Sequence, residues 1–160
     1  MCENLPIKDT YNDAIDQLEA EIVGGLAPVV CPITHLFAKG MYVRQIMLPK
    51  GVLATSKIHK TQHPFTISKG SVLINEGDGN WIEAIAPFTG ITQPGTRRVV
   101  YAVEDTIWTT YHAYKTITGK ENSLSNEEKE AISDRIEGRI IQKHNNKALN
   151  AIKKSKIWLS

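Results

Sequence analysis

Three side chains able to do chemistry at neutral pH lie close together near the middle of the chain. Lys57, His59 and His63 stand between Gly51 and Gly70 in the stretch GVLATSKIHKTQHPFTISKG. An imidazole offers a lone pair to a metal ion, or takes a proton as a general base, because its ordinary pKa lies near neutrality. An ammonium gives up its proton only at a desolvation cost, so beside the imidazoles it favours an anion over a cation. Side chains of a strand return to the same face every two residues, which pairs Lys57 with His59. The same period puts His63, Phe65 and Ile67 on one face, Arg98, Val100 and Ala102 on another, and Trp108, Thr110 and His112 on a third. Arg97, Val99 and Tyr101 then point away from Arg98, so only one of the two adjacent arginines faces inward.

The order Gly51, Lys57, His59, His63, Gly70 reads G-x5-K-x-H-x3-H-x6-G. It resembles the first signature of the cupins, small double-stranded β-helix barrels, whose usual form is G-x5-H-x-H-x3-E-x6-G. Every spacing is kept, while Lys57 stands where the first His belongs and His63 where the Glu belongs. The second signature, G-x5-P-x-G-x2-H-x3-N, falls on Pro87, Gln93, Gly95, Arg98 and Ala102 when aligned on its glycine. Only Gly95 agrees, and Arg98 takes the place of the ligand His. The resemblance spans residues 40 to 115.

The resemblance implies that Lys57, His59, His63 and Arg98 converge in one cavity, with Arg97 outside the fold or at its rim. Such a cavity repels a metal ion and suits phosphate or carboxylate, through charge-assisted bonds to a guanidinium fork and an ammonium. The expected protein is a metal-poor binder of a small anionic molecule: a nucleotide, a cyclic nucleotide or a nucleotide sugar. Trp108 or Tyr101 would stack on the ligand's ring and His112 would complete the polar wall. No cofactor is needed in that reading. The alternative is one divalent transition metal on His59 and His63, with His112 or His35 as third ligand. A plain structural reading stands beside both, in which Lys57 and Arg98 snorkel to water and Trp108 is core.

Two other function classes stay open. Metal-free cupin epimerases use a His base and a Tyr acid, parts that His59 or His63 could share with Tyr101 or Tyr111. The strand zone offers only Glu83 as a carboxylate inside a strand, so the usual His–carboxylate partner is missing and binding is favoured over catalysis. The third class is a structural or assembly protein with an empty or filled barrel. In build the chain is similar to accessory proteins of bacterial viruses, some of which sequester nucleotide signals.

The elements that must position these residues follow from pattern. The chain has 160 residues, 41% hydrophobic and 22% charged, with net charge +2, which fits one globular domain with a proper core. No apolar run is long enough to span a membrane, and the start MCENLPIKDT shows no basic-then-apolar leader. Cys2 and Cys31 match no metal or redox spacing and are expected as reduced thiols in the cytoplasm, the host's if the protein is viral.

Residues 1–34 are acidic, with Tyr11, Ala14, Ile15, Leu18 and Ile22 at helical spacing before Gly24 and Gly25. Residues 35–116 read as short strands with turn signals, implying a mainly β antiparallel barrel or jelly roll. In residues 117–160, Ser125 and Glu128 form a capping box, and Ile132, Ile136, Ile140 and Ile141 make an apolar stripe. Six basic residues from Arg139 to Lys156 occur without an acid. A solvated face or docking on the acidic segment of a second copy accounts for them. Nucleic acid is disfavoured by the small net charge and the missing stacking aromatics. A homodimer or higher homo-oligomer is expected from the resemblance.

Overall fold

Turn residues with left-handed backbone cut the middle of the chain into short strands. Gly70 has φ 88, and a Cβ there would run into the Asp105 carbonyl and come within 2.8 Å of Thr106 Cα. Only glycine fits this tight junction, which explains the glycine closing the Lys57–His63 stretch. The computed structural model describes residues 7–25, 29–77, 79–141 and 146–147.

The strands are β1 (Ile33–Ala38), β2 (Met41–Leu48), β3 (Leu53–Thr55), β4 (His63–Lys69), β5 (Ser71–Asn75), β6 (Trp81–Ile85), β7 (Phe88–Thr92), β8 (Val99–Ala102) and β9 (Thr106–Ala113). They form two antiparallel sheets, one ordered β1-β2-β9-β4-β7 and the other β3-β8-β5-β6. Leu48, Phe65, Ile67, Val72, Ile74, Ala84, Val100, Ala102 and Trp108 fill the space between the sheets. The alternation expected of His63, Phe65 and Ile67 is seen in β4, where all three are buried. Helices α1 (Ile7–Gly25) and α2 (Asn126–Ile140) flank the strands, giving the mainly β barrel with two helices that the pattern predicts.

Arg97 departs from expectation. It does point away from Arg98, but it is buried, because α1 covers that side of the molecule. Its guanidinium donates to Asp16 Oδ1 at 2.7 Å, Glu19 Oε1 at 3.0 Å and the Asn12 carbonyl at 3.2 Å. Tyr11 adds hydroxyl bonds to the Asn75 and Arg97 carbonyls. The acidic residues of the first segment thus serve their own barrel. In α1, Ile15 is buried, Leu18 and Ile22 are half-buried, and Ala14 is exposed.

Helix α2 begins where the capping box places it. Ser125 Oγ accepts from the Glu128 amide at 3.2 Å, and the Ser125 amide donates to Glu128 Oε2 at 2.9 Å. Ser125→Ala should lower stability by about 1 kcal/mol, and an unchanged thermal midpoint would contradict that role. Ile132, Ile136 and Ile140 pack on Phe37 and Tyr42, with Ile141 beside them. This stripe sets α2 across one end of the barrel. The Lys60 amide donates to the Ile140 carbonyl at 2.7 Å, and His59 forms an isolated antiparallel bridge with Ile141. Beyond the helix, Asn146 Nδ2 donates to Glu19 Oε2 at 2.9 Å, so the chain returns to its own α1. Cys2, Lys143, Lys153, Lys154, Lys156 and the closing Ile157, Trp158 and Leu159 lie outside the described residues. Among the described residues no helix is long and apolar enough to cross a membrane.

Candidate functional site

Three histidines from separate segments meet at the end of the barrel under α2. In the antiparallel register β4 sets Phe65 beside Thr110 of β9, so two residues further His63 comes alongside His112. On its other edge β9 pairs His112 with Tyr42 of β2. The chain leaves the sheet after β3, and the loop carries His59 in to close the group. Ring centroids are 4.4 Å apart for His63 and His112, 4.6 Å for His59 and His63, and 5.6 Å for His59 and His112. One nitrogen from each ring lies within 4.8 Å of the others.

Hydrogen bonds set which nitrogens are available. His63 Nδ1 lies 3.2 Å from the Thr61 carbonyl, an acceptor that requires the proton on Nδ1 and leaves Nε2 with its lone pair. His112 Nε2 lies 3.0 Å from Thr110 Oγ1, while its Nδ1 is buried without a partner among the described residues. A buried unpartnered acceptor is costly, and a ligand atom is what would satisfy it.

Burial holds all three imidazoles neutral. It pushes the His59 pKa down to about 4 and the His112 pKa down to about 3, with the neighbouring histidines adding to both shifts. For His63 burial again lowers the value, the Thr61 carbonyl opposes it, and the Arg98 charge lowers it further. An unfolded imidazole protonates near 6.5, so on acidification below that value the unfolded chain takes up protons that the folded one refuses. Stability of the metal-free protein should therefore fall as pH drops from about 6.5 towards 4, by up to about 1.4 kcal/mol per pH unit for each imidazole. Half-buried His59 contributes less because water screens it. Urea midpoints that stay level between pH 7 and 5 would contradict the burial argument.

The histidines face a cavity of ≈ 210 Å³ that Lys57, Arg98 and Trp108 also line, as do Tyr42, Arg44, Thr110 and Glu137. The residues predicted for the site are thus brought together, apart from the tyrosines and His35. Tyr101 as an acid is corrected: it is 40% exposed and absent from the cavity wall, because it shares the side of β8 opposite to Val100. Tyr111 turns the same way from its neighbours Thr110 and His112 and bonds Thr66 Oγ1 at 3.0 Å. His35 as third ligand is corrected too. Its Nδ1 sits 2.7 Å from the Tyr42 hydroxyl, and the Tyr42 ring lies between it and His112.

The two cations behave differently from the expectation of an open anion cradle. Arg98 is buried, with Nε donating to Glu76 Oε1 at 2.6 Å, Nη1 donating to Thr92 Oγ1 at 2.7 Å, and the guanidinium 4.8 Å from the Phe65 ring centre. Lys57 is 65% exposed and its ammonium lies 2.8 Å from Glu137 Oε2. Trp108 is core as well as wall, stacked on Phe65 at 4.7 Å. Sequence reasoning missed Tyr42, Arg44 and Glu137. No local pattern signals Arg44 or Glu137, which meet at the cavity wall only through the docking of α2 on the barrel.

No family model matches the chain, and no curated protein does. Among solved structures it is similar to a cupin superfamily protein from Desulfitobacterium hafniense, at 8% identity over 56% of this chain and 82% of that one, TM-score 0.46. It is also similar to a protein with a double-stranded beta-helix domain from Klebsiella pneumoniae, at 16% identity over 59% and 85%, TM-score 0.47. A third is the Cupin_2 domain of an XRE family transcriptional regulator from Enterobacter cloacae, at 14% identity over 55% and 100%, TM-score 0.45. The two-sheet antiparallel topology and the spacing from Gly51 to Gly70 agree with one another, and the chain has a cupin-like double-stranded β-helix fold.

Proposed function

We propose that the barrel binds a small anionic molecule at a single divalent transition-metal ion held by His59, His63 and His112. The observation that carries this reading is the convergence of three neutral imidazoles, one with an unpartnered buried nitrogen, on a common cavity. Neutral imidazole suits zinc, copper, iron and nickel. Metal–nitrogen bonds run to about 2.0–2.1 Å, so the three rings would have to draw closer than their present spacing to hold one ion. Thr61 and Thr110 orient two of the rings through their other nitrogens, as outer partners of metal-bound histidines do. A bound ion would supply Lewis acidity and a positive charge for an oxygen donor.

The structure shifts the balance from the metal-poor reading because the cations are already answered. Glu76 neutralises Arg98, and Glu137 faces both Lys57 and Arg44. Volume narrows the ligand class. Pockets that bury drug-sized molecules run from about 300 to 1,000 Å³, and ≈ 210 Å³ encloses something smaller than a nucleotide or nucleotide sugar. Binding is favoured over catalysis, since neither Tyr101 nor Tyr111 joins the imidazoles and the Tyr42 hydroxyl is engaged by His35 and Ser133. A homodimer is supported by exposed Trp81, Ile82 and Ile85 on β6 and by Ile91 on β7, both edge strands.

The metal-free anion pocket remains the second reading, favoured by Arg98, Arg44 and Lys57 lining the same cavity. Titrating metal-stripped protein with cobalt(II) separates the two. One ion per chain with the visible spectrum of nitrogen ligation is expected. No cobalt binding, together with binding of inorganic phosphate, would replace the proposal by the second reading.

A further inference from the structure

At the mouth of the cavity one carboxylate sits between two cations. Glu137 Oε2 is 2.8 Å from Lys57 Nζ, and Glu137 Oε1 is 3.7 Å from Arg44 Nε. Each oxygen thus faces a different cation, and the longer distance is an ion pair without a direct hydrogen bond. Glu137 and Arg44 are 20% and 29% exposed, and Lys57 is largely exposed at 65%. Arg44 comes from β2, Lys57 from the loop after β3 and Glu137 from the last turn of α2. All three line the cavity that holds the histidines.

The backbone around this carboxylate is pinned while its side chain is not. Helix α2 is tied to the His59 segment by the Lys60–Ile140 hydrogen bond and the His59–Ile141 bridge, and the Glu137 carbonyl accepts from the Ile141 amide at 2.8 Å. Its carboxylate rests on cations in contact with water, and ion pairs of that kind hold weakly. Swinging the Glu137 side chain outward would leave two positive charges at the entrance, with a carboxylate-sized gap between them.

We infer that Arg44 and Lys57 form an anion subsite at the cavity mouth, that Glu137 is its resident carboxylate, and that a small carboxylate-bearing ligand binds by displacing it. The inference rests on the reading that the cavity takes an anionic molecule. It gives that molecule a polarity, with one carboxylate at the mouth and the rest directed to the histidines. The chain's own glutamate then sets a threshold that neutral ligands and weakly held anions do not pass.

The test uses full-length, metal-stripped protein and malonate as probe, followed by calorimetry. Glu137→Gln and Glu137→Ala should each bind malonate about tenfold more tightly than the unaltered protein, the effect of removing one charge competitor. Adding Lys57→Ala to Glu137→Gln should remove the gain. Thermal melts of both single variants report that they remain folded. Folded variants that bind malonate no better than the unaltered protein would overturn the inference. If cobalt(II) still binds one per chain in those variants, the histidine centre stands while the resident-carboxylate inference falls. If neither cobalt(II) nor malonate binds any of the proteins, both fall together.

Discussion

His112→Ala is expected to abolish stoichiometric cobalt(II) binding. The substitution removes the donor whose Nδ1 is buried without a partner, and two imidazoles cannot make up the loss. The drop in affinity should exceed the roughly 10–100-fold typical of losing an outer partner of a metal-bound histidine. Thr110→Val gives the smaller comparison, since it removes only the hydroxyl 3.0 Å from His112 Nε2 and should cost about 10–100-fold. His35→Ala, separated from the group by the Tyr42 ring, should leave the cobalt spectrum unchanged. Calorimetry and visible absorption measure all three. Wild-type affinity in His112→Ala would remove the third donor from the proposed centre.

Arg97→Ala should be the most destabilising single change outside the core. The side chain is 4% exposed and holds Asp16 and Glu19 of α1 against the barrel. Without the guanidinium those two carboxylates stay half-buried and repel one another across the gap. Breaking a buried pair by removing one partner costs about 3–5 kcal/mol. The expected sign is a lowered urea midpoint with little change in slope. Earlier proteolysis within α1 should accompany it, as the helix loses its main polar anchor. A loss below about 1 kcal/mol, the range of exposed pairs, would show that α1 is held by other contacts.

Local signals carried much of this architecture. The spacing of His59 and His63 survives as real proximity because it follows two strand-linked segments whose geometry depends on nearby turns. His112 was legible as the inward neighbour of Trp108 and Thr110, although the alignment offered Arg98 for the remaining ligand position. The arginine does line the cavity, but its charge is drawn to Glu76, a residue in a turn whose approach no pattern along the chain could announce. Glu137 and Arg44 were hidden for the same reason. They meet through the docking of α2, which depends on contacts between distant residues.

Two strands, β1 and β7, were also unreadable. Glycine at position 90 weakens any strand pattern, yet a Cβ there would press within 2.7 Å of the Phe65 ring. The residue is there to admit the aromatic core. Placing Lys57 and His59 on one face supposes a strand through both, but only Leu53–Thr55 pairs with β8, and the rest leaves the sheet to carry His59 towards Ile141.

The place of β9 has a consequence for how the protein comes into being. It is the last strand among the described residues, yet it is inserted between β2 and β4 in the middle of the five-stranded sheet. Contacts between residues so far apart in sequence make folding slow. A ribosome-bound chain ending before residue 106 has neither a joined sheet nor a third imidazole. The proposed centre would therefore be completed late and all at once, and a cobalt signal during refolding would time the insertion of that strand.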